Sequence, residues 1–301
     1  VNTATYDADP TLRSLIDVAP FGVEEQPPSS ATRALKGVVP GIGVDDVVLL
    51  WGGGVYNWFD PLTLIRAVAK VHAEHPHVRL YFLGMSHPNP DVPRMRMAAH
   101  AVALSDRLEL TGRVVFFNTG WVPYDERADY LLDADVGVST HLDHVETAFS
   151  FRTRILDYLW AGLPVVTTGG DALADVVVGA GAGVAVPPDD VDALAAAIAA
   201  LVAHPAERAR LADGARTAAA AFRWSTVLRP LVEFCGDPRR APDLVDPLLA
   251  PGLDPMRITV PSNPTSVRGD VALAASYLRE GGVGLLARRV GTRARRMFRN
   301  R

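Results

Sequence analysis

The stretch STHLDHVETAFSFRTRILDYLWAGLPVVTTGGD, Ser139 to Asp171, reads as the end of one strand, a polar loop, a short helix and a second strand. Gly162 is the expected helix stop, Pro164 blocks continuation, and Val165 and Val166 open a buried strand. Loop chemistry held between two rigid elements is how an open α/β sheet builds a ligand site at its carboxyl edge. Ser150 is placed to cap a helix starting near Phe151, its hydroxyl accepting a backbone N–H. The amides and positive end of that helix favour an anion. Arg152 and Arg154 add two permanent cations whose planar forks suit a diphosphate. Asp157, three residues after Arg154, shares its face and lies one turn past the anion site, within reach of a sugar hydroxyl.

Outward from this stretch, strand and helix signals alternate. Val136 to Ser139 is the strand that delivers it. Val47 to Trp51 is a continuous apolar run between Asp45-Asp46 and Gly52-Gly53-Gly54, the pattern of a central parallel strand entering a tight loop. Asp60 and Pro61 then open a helix with Leu62, Ile65, Val68 and Val71 on one face. Gly53 and Gly54 let the backbone approach a ligand closely, and Asn57 just beyond offers an uncharged phosphate or hydroxyl partner. Neither the GxGxxG spacing of dinucleotide folds nor the GK[ST] of a P-loop is present, which places a dehydrogenase last. Val78 to Leu83 and Val114 to Phe117 are further strands, separated by a Pro- and Met-bearing excursion from Gly84 to Met97. GWVPYDERADYLL gives a turn and a helix. Gly183 to Val186 is the last strand, followed by a helix with Val191, Leu194, Ile198 and Leu201 as its buried stripe. Ala206 to Phe222 and Trp224 to Phe234 complete the helices. The alternation predicts a doubly wound parallel sheet in the α/β class.

The segment from Thr153 to Val166 resembles the donor-site segment of GT-B glycosyltransferases, particularly glycosyltransferase family 4, and the order of elements resembles it from about Asp46 to Phe234. The resemblance implies a Rossmann-like half of a GT-B fold that binds a nucleoside diphosphate sugar and supports transfer with retention at the anomeric carbon. Asp157 matches the second of two family glutamates, the one that bonds the ribose. The first falls on Phe149, and Glu146, three residues earlier, is the acid expected to contact a donor hydroxyl in its place. By the same resemblance the backbone before the GWVPYDERADYLL helix holds the nucleobase, which puts Trp121, Val122 and Pro123 against it. Family members carry an Arg and a Lys after the glycine loop; here the loop reads VYNWFD, so the phosphate falls to Ser150, Phe151, Arg152 and Arg154.

The bulk numbers fit this reading. A chain of 301 residues, 49% hydrophobic and 21% charged, can bury a sizeable core. A formal charge of −4 argues against a nucleic-acid partner. The single Cys235 rules out an internal disulfide. No apolar run is long enough for a membrane-spanning helix, and the opening VNTATYDADP lacks the basic and apolar regions of a signal peptide. His141, Asp143, His144 and Glu146 sit on one loop with no partner cluster elsewhere, so no protein metal site is expected; Mg²⁺ carried by the donor diphosphate needs few protein ligands.

Three domains are therefore expected: a leading segment over 1–40, a nucleotide-sugar-binding domain over 41–235, and a Pro-rich linker with a basic tail over 236–301. The leading segment resembles the one that joins the two GT-B halves, so an N-terminal acceptor-binding half is expected outside this chain. Leu278 to Arg301 carries a net charge of +7 against −11 for the remainder, with Val283, Leu286, Val290 and Met297 on one helical face. That pattern suits an anionic membrane surface and a cytoplasmic protein held at the inner face. A non-catalytic nucleotide-sugar module and a GT-B epimerase acting on the nucleotide sugar alone are the competing functions.

Overall fold

The computed structural model describes residues 6–7, 9–13, 15–30, 32–87, 89, 91–92, 95–238, 275 and 283. Most of the Pro-rich stretch and, Val283 apart, the Arg-rich tail lie outside the described residues. Asp17–Arg239 forms one compact unit, and Val1–Ile16 with Arg240–Arg301 forms another. In the latter, a turn is described in which the Thr11 amide donates to Asp9 Oδ1 at 3.1 Å.

Among the described residues six strands form one sheet: β1 (Val47–Gly54), β2 (Val78–Gly84), β3 (Val115–Phe117), β4 (Val136–Ser139), β5 (Val165–Thr168) and β6 (Gly183–Val186). All neighbours pair parallel, in the order β3-β2-β1-β4-β5-β6. This is the doubly wound sheet the sequence predicts. The order reverses between β1 and β4, which opens a crevice beyond their carboxyl ends.

The helices are α1 (Pro61–Glu74), α2 (Arg96–Arg107), α3 (Arg127–Asp133), α4 (Val145–Phe149), α5 (Thr153–Ala161), α6 (Ala172–Gly179), α7 (Val191–Ala203), α8 (Pro205–Ala219), α9 (Trp224–Val227) and α10 (Arg229–Gly236). The run VVLLW of β1 is uninterrupted because both its faces are covered. Leu49 and Trp51 pack with Leu64, Ile65, Leu194 and Ile198 of α1 and α7. Val48 and Leu50 pack on the opposite face with Ile155, Leu156 and Leu159 of α5. Each fully buried Leu or Ile contributes about 2 kcal/mol.

Local signals explain the element ends. Asp60 caps α1 by accepting the Thr63 amide at 3.0 Å, and Gly162 ends α5 in the left-handed region at φ 67°. Four expectations are corrected. The helix expected from Phe151 begins at Thr153; Arg152 precedes it without a side-chain cap bond. Ser150 instead closes α4, its hydroxyl donating to the Thr147 carbonyl at 3.1 Å, because a local backbone acceptor satisfies it first. The glycines after Trp51 are the irregular end of β1, with the register shifting between Trp51 and Gly54, rather than a free loop. The helix expected over Trp224 to Phe234 divides into α9 and α10, since Pro230 has no N–H to offer the carbonyl four residues back.

Residues of the expected leading segment pack into the same unit as the sheet. Asp133 Oδ2 accepts the amides of Ala34, Leu35 and Lys36 at 3.1, 2.7 and 2.8 Å. Trp160 Nε1 donates to the Gln26 carbonyl at 2.7 Å. Val23 pairs with the chain around Arg223, donating to the Phe222 carbonyl at 2.7 Å and accepting from the Trp224 amide at 3.1 Å.

Candidate functional site

A cavity of about 650 Å³ lies beyond the carboxyl ends of β1 and β2, to one side of the β1/β4 switch point. Its floor is backbone: Gly52, Gly53 and Gly54 end β1, and Gly84 ends β2. A Cβ on Gly84 would stand 3.1 Å from the Gly53 carbonyl carbon and oxygen, tighter than an ordinary side-chain contact, so the two strand ends approach closely here. The walls are Trp121 and Val122, then Tyr124 and Arg127 at the entry to α3, and Asp157 on α5. Pro123 opens the 3-10 turn Tyr124–Glu126 between two wall residues. Trp121 is 62% exposed, leaving its ring free to meet a flat ligand.

The glycine end is held from below by α5. The Tyr158 hydroxyl accepts the Gly52 amide at 2.8 Å and faces the carbonyls of Leu50 and Val138 at 3.0 and 2.9 Å. The ring lies flat on β4 because residue 137 is glycine: a Cβ there would come within 2.4 Å of it. Burial raises the Tyr158 pKa to about 12, so the phenol keeps its proton.

Arg154 also lies beneath the floor. Its Nη2 donates to the Gly54 carbonyl at 2.7 Å, and its guanidinium sits 4.5 Å from the Trp51 ring centroid and 4.1 Å from that of Phe59. A Cβ on Gly53 would meet Nη2 at 3.6 Å, so the cation lies against a glycine that lines the cavity. Burial brings its pKa down to about 10, still far enough above neutral to keep the charge. Its Nη1 is buried and meets no hydrogen-bond partner among the described residues.

Arg152 is turned away from the cavity. Nε donates to Asp171 Oδ2 and Nη2 to Glu146 Oε2, both at 3.0 Å. Asp171 in turn accepts the Leu173 and Ala174 amides and caps α6. His141 Nε2 stands 3.6 Å from the same carboxylate oxygen and 3.1 Å from the Thr168 carbonyl. Burial, then the Arg152 charge, lowers the His141 pKa and keeps the ring neutral. This chain of polar groups fastens the loop before α5 to the start of α6. Of the cradle expected from Ser150, Phe151, Arg152 and Arg154, both guanidinium groups lie over the Phe59 ring, 5.0 and 4.1 Å from its centroid, and none of the four residues lines the cavity. The buried Asp171 carboxylate claims Arg152 because an unpaired buried guanidinium or carboxylate is costly.

Of the residues singled out in the sequence, Gly53, Gly54, Val122 and Asp157 line the cavity. Glu146, Phe149, Ser150, Phe151, Arg152 and Arg154 do not. Phe149 is 85% exposed on α4. Asn57 is used structurally, its Oδ1 accepting the Met97 amide at 3.1 Å. The excursion from Gly84 to Met97, read as bordering the cleft, contributes Gly84, Met85 and His87 to the cavity, while Arg127 and Tyr124 are wall residues that sequence reasoning passed over.

Asp157 is the acid of the site. Arg127 Nε donates to its Oδ1 at 3.4 Å. Burial raises the Asp157 pKa, and the Arg127 charge and hydrogen bond oppose the rise. Among the described residues no group of three or more His, Cys, Asp or Glu is placed to hold a metal ion, and no helix is long and apolar enough to cross a membrane.

This geometry has relatives. The family described as Glycosyl transferases group 1 matches residues 46–204. D-inositol 3-phosphate glycosyltransferase of Xylanimonas cellulosilytica is 31% identical over 229 residues, covering 72% of this chain and 50% of that protein. The match thus spans about half the length of that curated relative. Sucrose-phosphate synthase from Thermosynechococcus elongatus superposes with a TM-score of 0.56 at 21% identity, over 76% of this chain and 55% of that one. HepE from Anabaena, solved in complex with UDP, superposes with a TM-score of 0.54 at 19% identity, over 64% of this chain and 49% of that one. These structures share the fold, and the family match covers more than half of the 301 residues. The chain belongs to the group 1 glycosyl transferases and carries a Rossmann-like GT-B glycosyltransferase domain.

Proposed function

We propose that the cavity binds the nucleoside diphosphate of a sugar donor, and that this chain is the donor half of a retaining glycosyltransferase. One observation carries the reading: a flat exposed ring, a carboxylate and a glycine floor with a buried cation behind it converge on one cavity. They correspond in order to base, ribose and diphosphate. The base lies against Trp121, Val122 and Pro123, Asp157 accepts from the ribose hydroxyls, and the diphosphate lies along Gly53 and Gly54. Arg154 acts through the floor, where low dielectric strengthens its field. As the glycosidic bond breaks, negative charge grows on the leaving diphosphate, so amides and a cation placed there favour the transition state over the ground state. A divalent ion, if used, travels with the diphosphate. The UDP complex of HepE supports the donor class, and the inositol-phosphate glycosyltransferase supports transfer. The acceptor belongs to a second half, in keeping with a match to only part of that relative.

Calorimetry of the full chain with UDP, GDP and ADP tests this. One of them is expected to bind with a Kd of about 1–100 µM, and Trp121→Ala to weaken it. Failure of all three to titrate at about millimolar concentration removes the donor reading.

A further inference from the structure

The Arg127 side chain is held on every side. Its guanidinium carbon lies 3.6 Å from the Tyr124 ring centroid and 4.6 Å from that of Trp160. Nη1 donates to the Tyr124 carbonyl at 2.9 Å, Nη2 to Glu24 Oε1 at 3.2 Å, and Nε to Asp157 Oδ1 at 3.4 Å. A planar cation gripped between two rings has little rotamer freedom to lose, so its hydrogen bonds are directional. Only one Asp157 oxygen is engaged: among the described residues no donor meets Oδ2. Asp157 and Arg127 both line the cavity.

We propose that Arg127 is the positioning residue of the donor site, holding Oδ1 of Asp157 so that Oδ2 faces the ribose as a charged acceptor. The inference rests on the donor reading given above. Its physical need is clear: burial pushes the Asp157 pKa up, and the Arg127 cation beside it holds the carboxyl toward its charged form. A protonated acid accepts from the ribose diol more weakly than a carboxylate. The charged groups facing Asp157 are Arg127 from α3, Glu24 from the leading segment and Arg154 from its own helix. Arg127 and Arg154 favour the carboxylate, and Glu24 opposes it. Arg127 alone of the three touches it. Glu24 draws on the same guanidinium, so it sets how much of the cation Asp157 receives.

The test is the pH dependence of binding by the full chain, using UDP first and GDP or ADP if one of these is the nucleotide the wild type takes. The readout is the ratio of variant to wild-type affinity at each pH between about 5.5 and 8.5, since the terminal phosphate of the nucleotide itself titrates at about pH 6. In Arg127→Gln it should fall about tenfold at the acid end and recover at the alkaline end. Arg127→Lys should remain close to wild type, and the 2′,3′-dideoxynucleotide should be indifferent to Arg127→Gln. An equal loss at every pH, or no loss, overturns the proposal.

Glu24→Gln is the second arm, a neutral isostere at a half-exposed residue. Carbon-13 NMR titration should show the Asp157 pKa lower than in wild type; an unmoved pKa overturns the clamp. If the wild type binds no nucleoside diphosphate, the donor reading fails, while this arm still decides whether Arg127 governs the charge of Asp157.

Discussion

The Tyr158 hydroxyl accepts the Gly52 amide proton at 2.8 Å, so the helix that carries Asp157 also sets the height of the glycine floor opposite it. Two walls of the cavity are thus indexed to one helix. Tyr158→Phe leaves the Gly52 amide without its acceptor and is expected to cost about 1–3 kcal/mol of stability. It should also weaken nucleotide binding through the floor. Chemical denaturation and calorimetry on the same sample check both; loss of stability with unchanged affinity would detach the floor from the ligand.

Arg154→Met keeps an apolar side chain against Trp51 and Phe59 but removes the charge. Affinity for the nucleoside diphosphate is expected to fall about tenfold or more, while affinity for the corresponding nucleoside stays close to wild type. Titration of both ligands separates an electrostatic role from a packing role.

Arg152→Met strands the fully buried Asp171 carboxylate without its cation. Breaking one side of such a pair costs about 3–5 kcal/mol, which urea unfolding will register. Asp171 keeps its two backbone donors at the start of α6, so the smaller end of that range is expected.

His141 has a folded pKa below its ordinary value of 6.5, through burial and then the neighbouring Arg152. The unfolded chain then binds the extra proton first, so stability is full above about pH 6.5 and declines as pH falls through that value toward the lower folded pKa. His141→Gln should flatten the fall of melting temperature over that window. A wild-type slope that survives the substitution would assign it to another group.

Asp157 has the opposite sign. Its folded pKa is raised by burial, against the pull of Arg127, so the native state holds its proton longer and stability is lost as pH rises from the ordinary carboxylate range to the raised value. Asp157→Asn is therefore expected to melt no lower than wild type at neutral pH while losing nucleotide affinity. Thermal melts with and without nucleotide show the two effects separately.

The sheet was legible because its strands are short apolar runs punctuated by Gly, Pro and Asp, signals that depend only on neighbours in sequence. Asp157 was legible for a similar reason: its spacing to Gly162 and Pro164 fixes it on the outer turn of one short helix. Arg152 was read as a cation for the donor phosphates, and its pairing with Asp171 and Glu146 was not foreseen. Its partner Asp171 lies 19 residues on, beyond a whole strand, and no local pattern announces a pairing across that distance. Arg127 was missed because its role comes from Tyr124, Trp160, Asp157 and Glu24 meeting in space, and only Tyr124 is near in sequence. The start of α5 was misplaced because Ser150 had a nearer carbonyl to bond than the amides it was expected to serve.

Val23 pairs with the strand-like turn at Phe222 to Trp224, and this fixes how the chain threads through the unit Asp17–Arg239. Entry and exit are stitched together, so the backbone departs from where it arrived. Trimming to the family match at 46–204 would cut that stitch, discard Glu24 and Gln26, and bare the face of α5 that Ala215 covers. A working excision keeps both margins, and a permutant rejoined across this seam should retain the ring of contacts around Arg127.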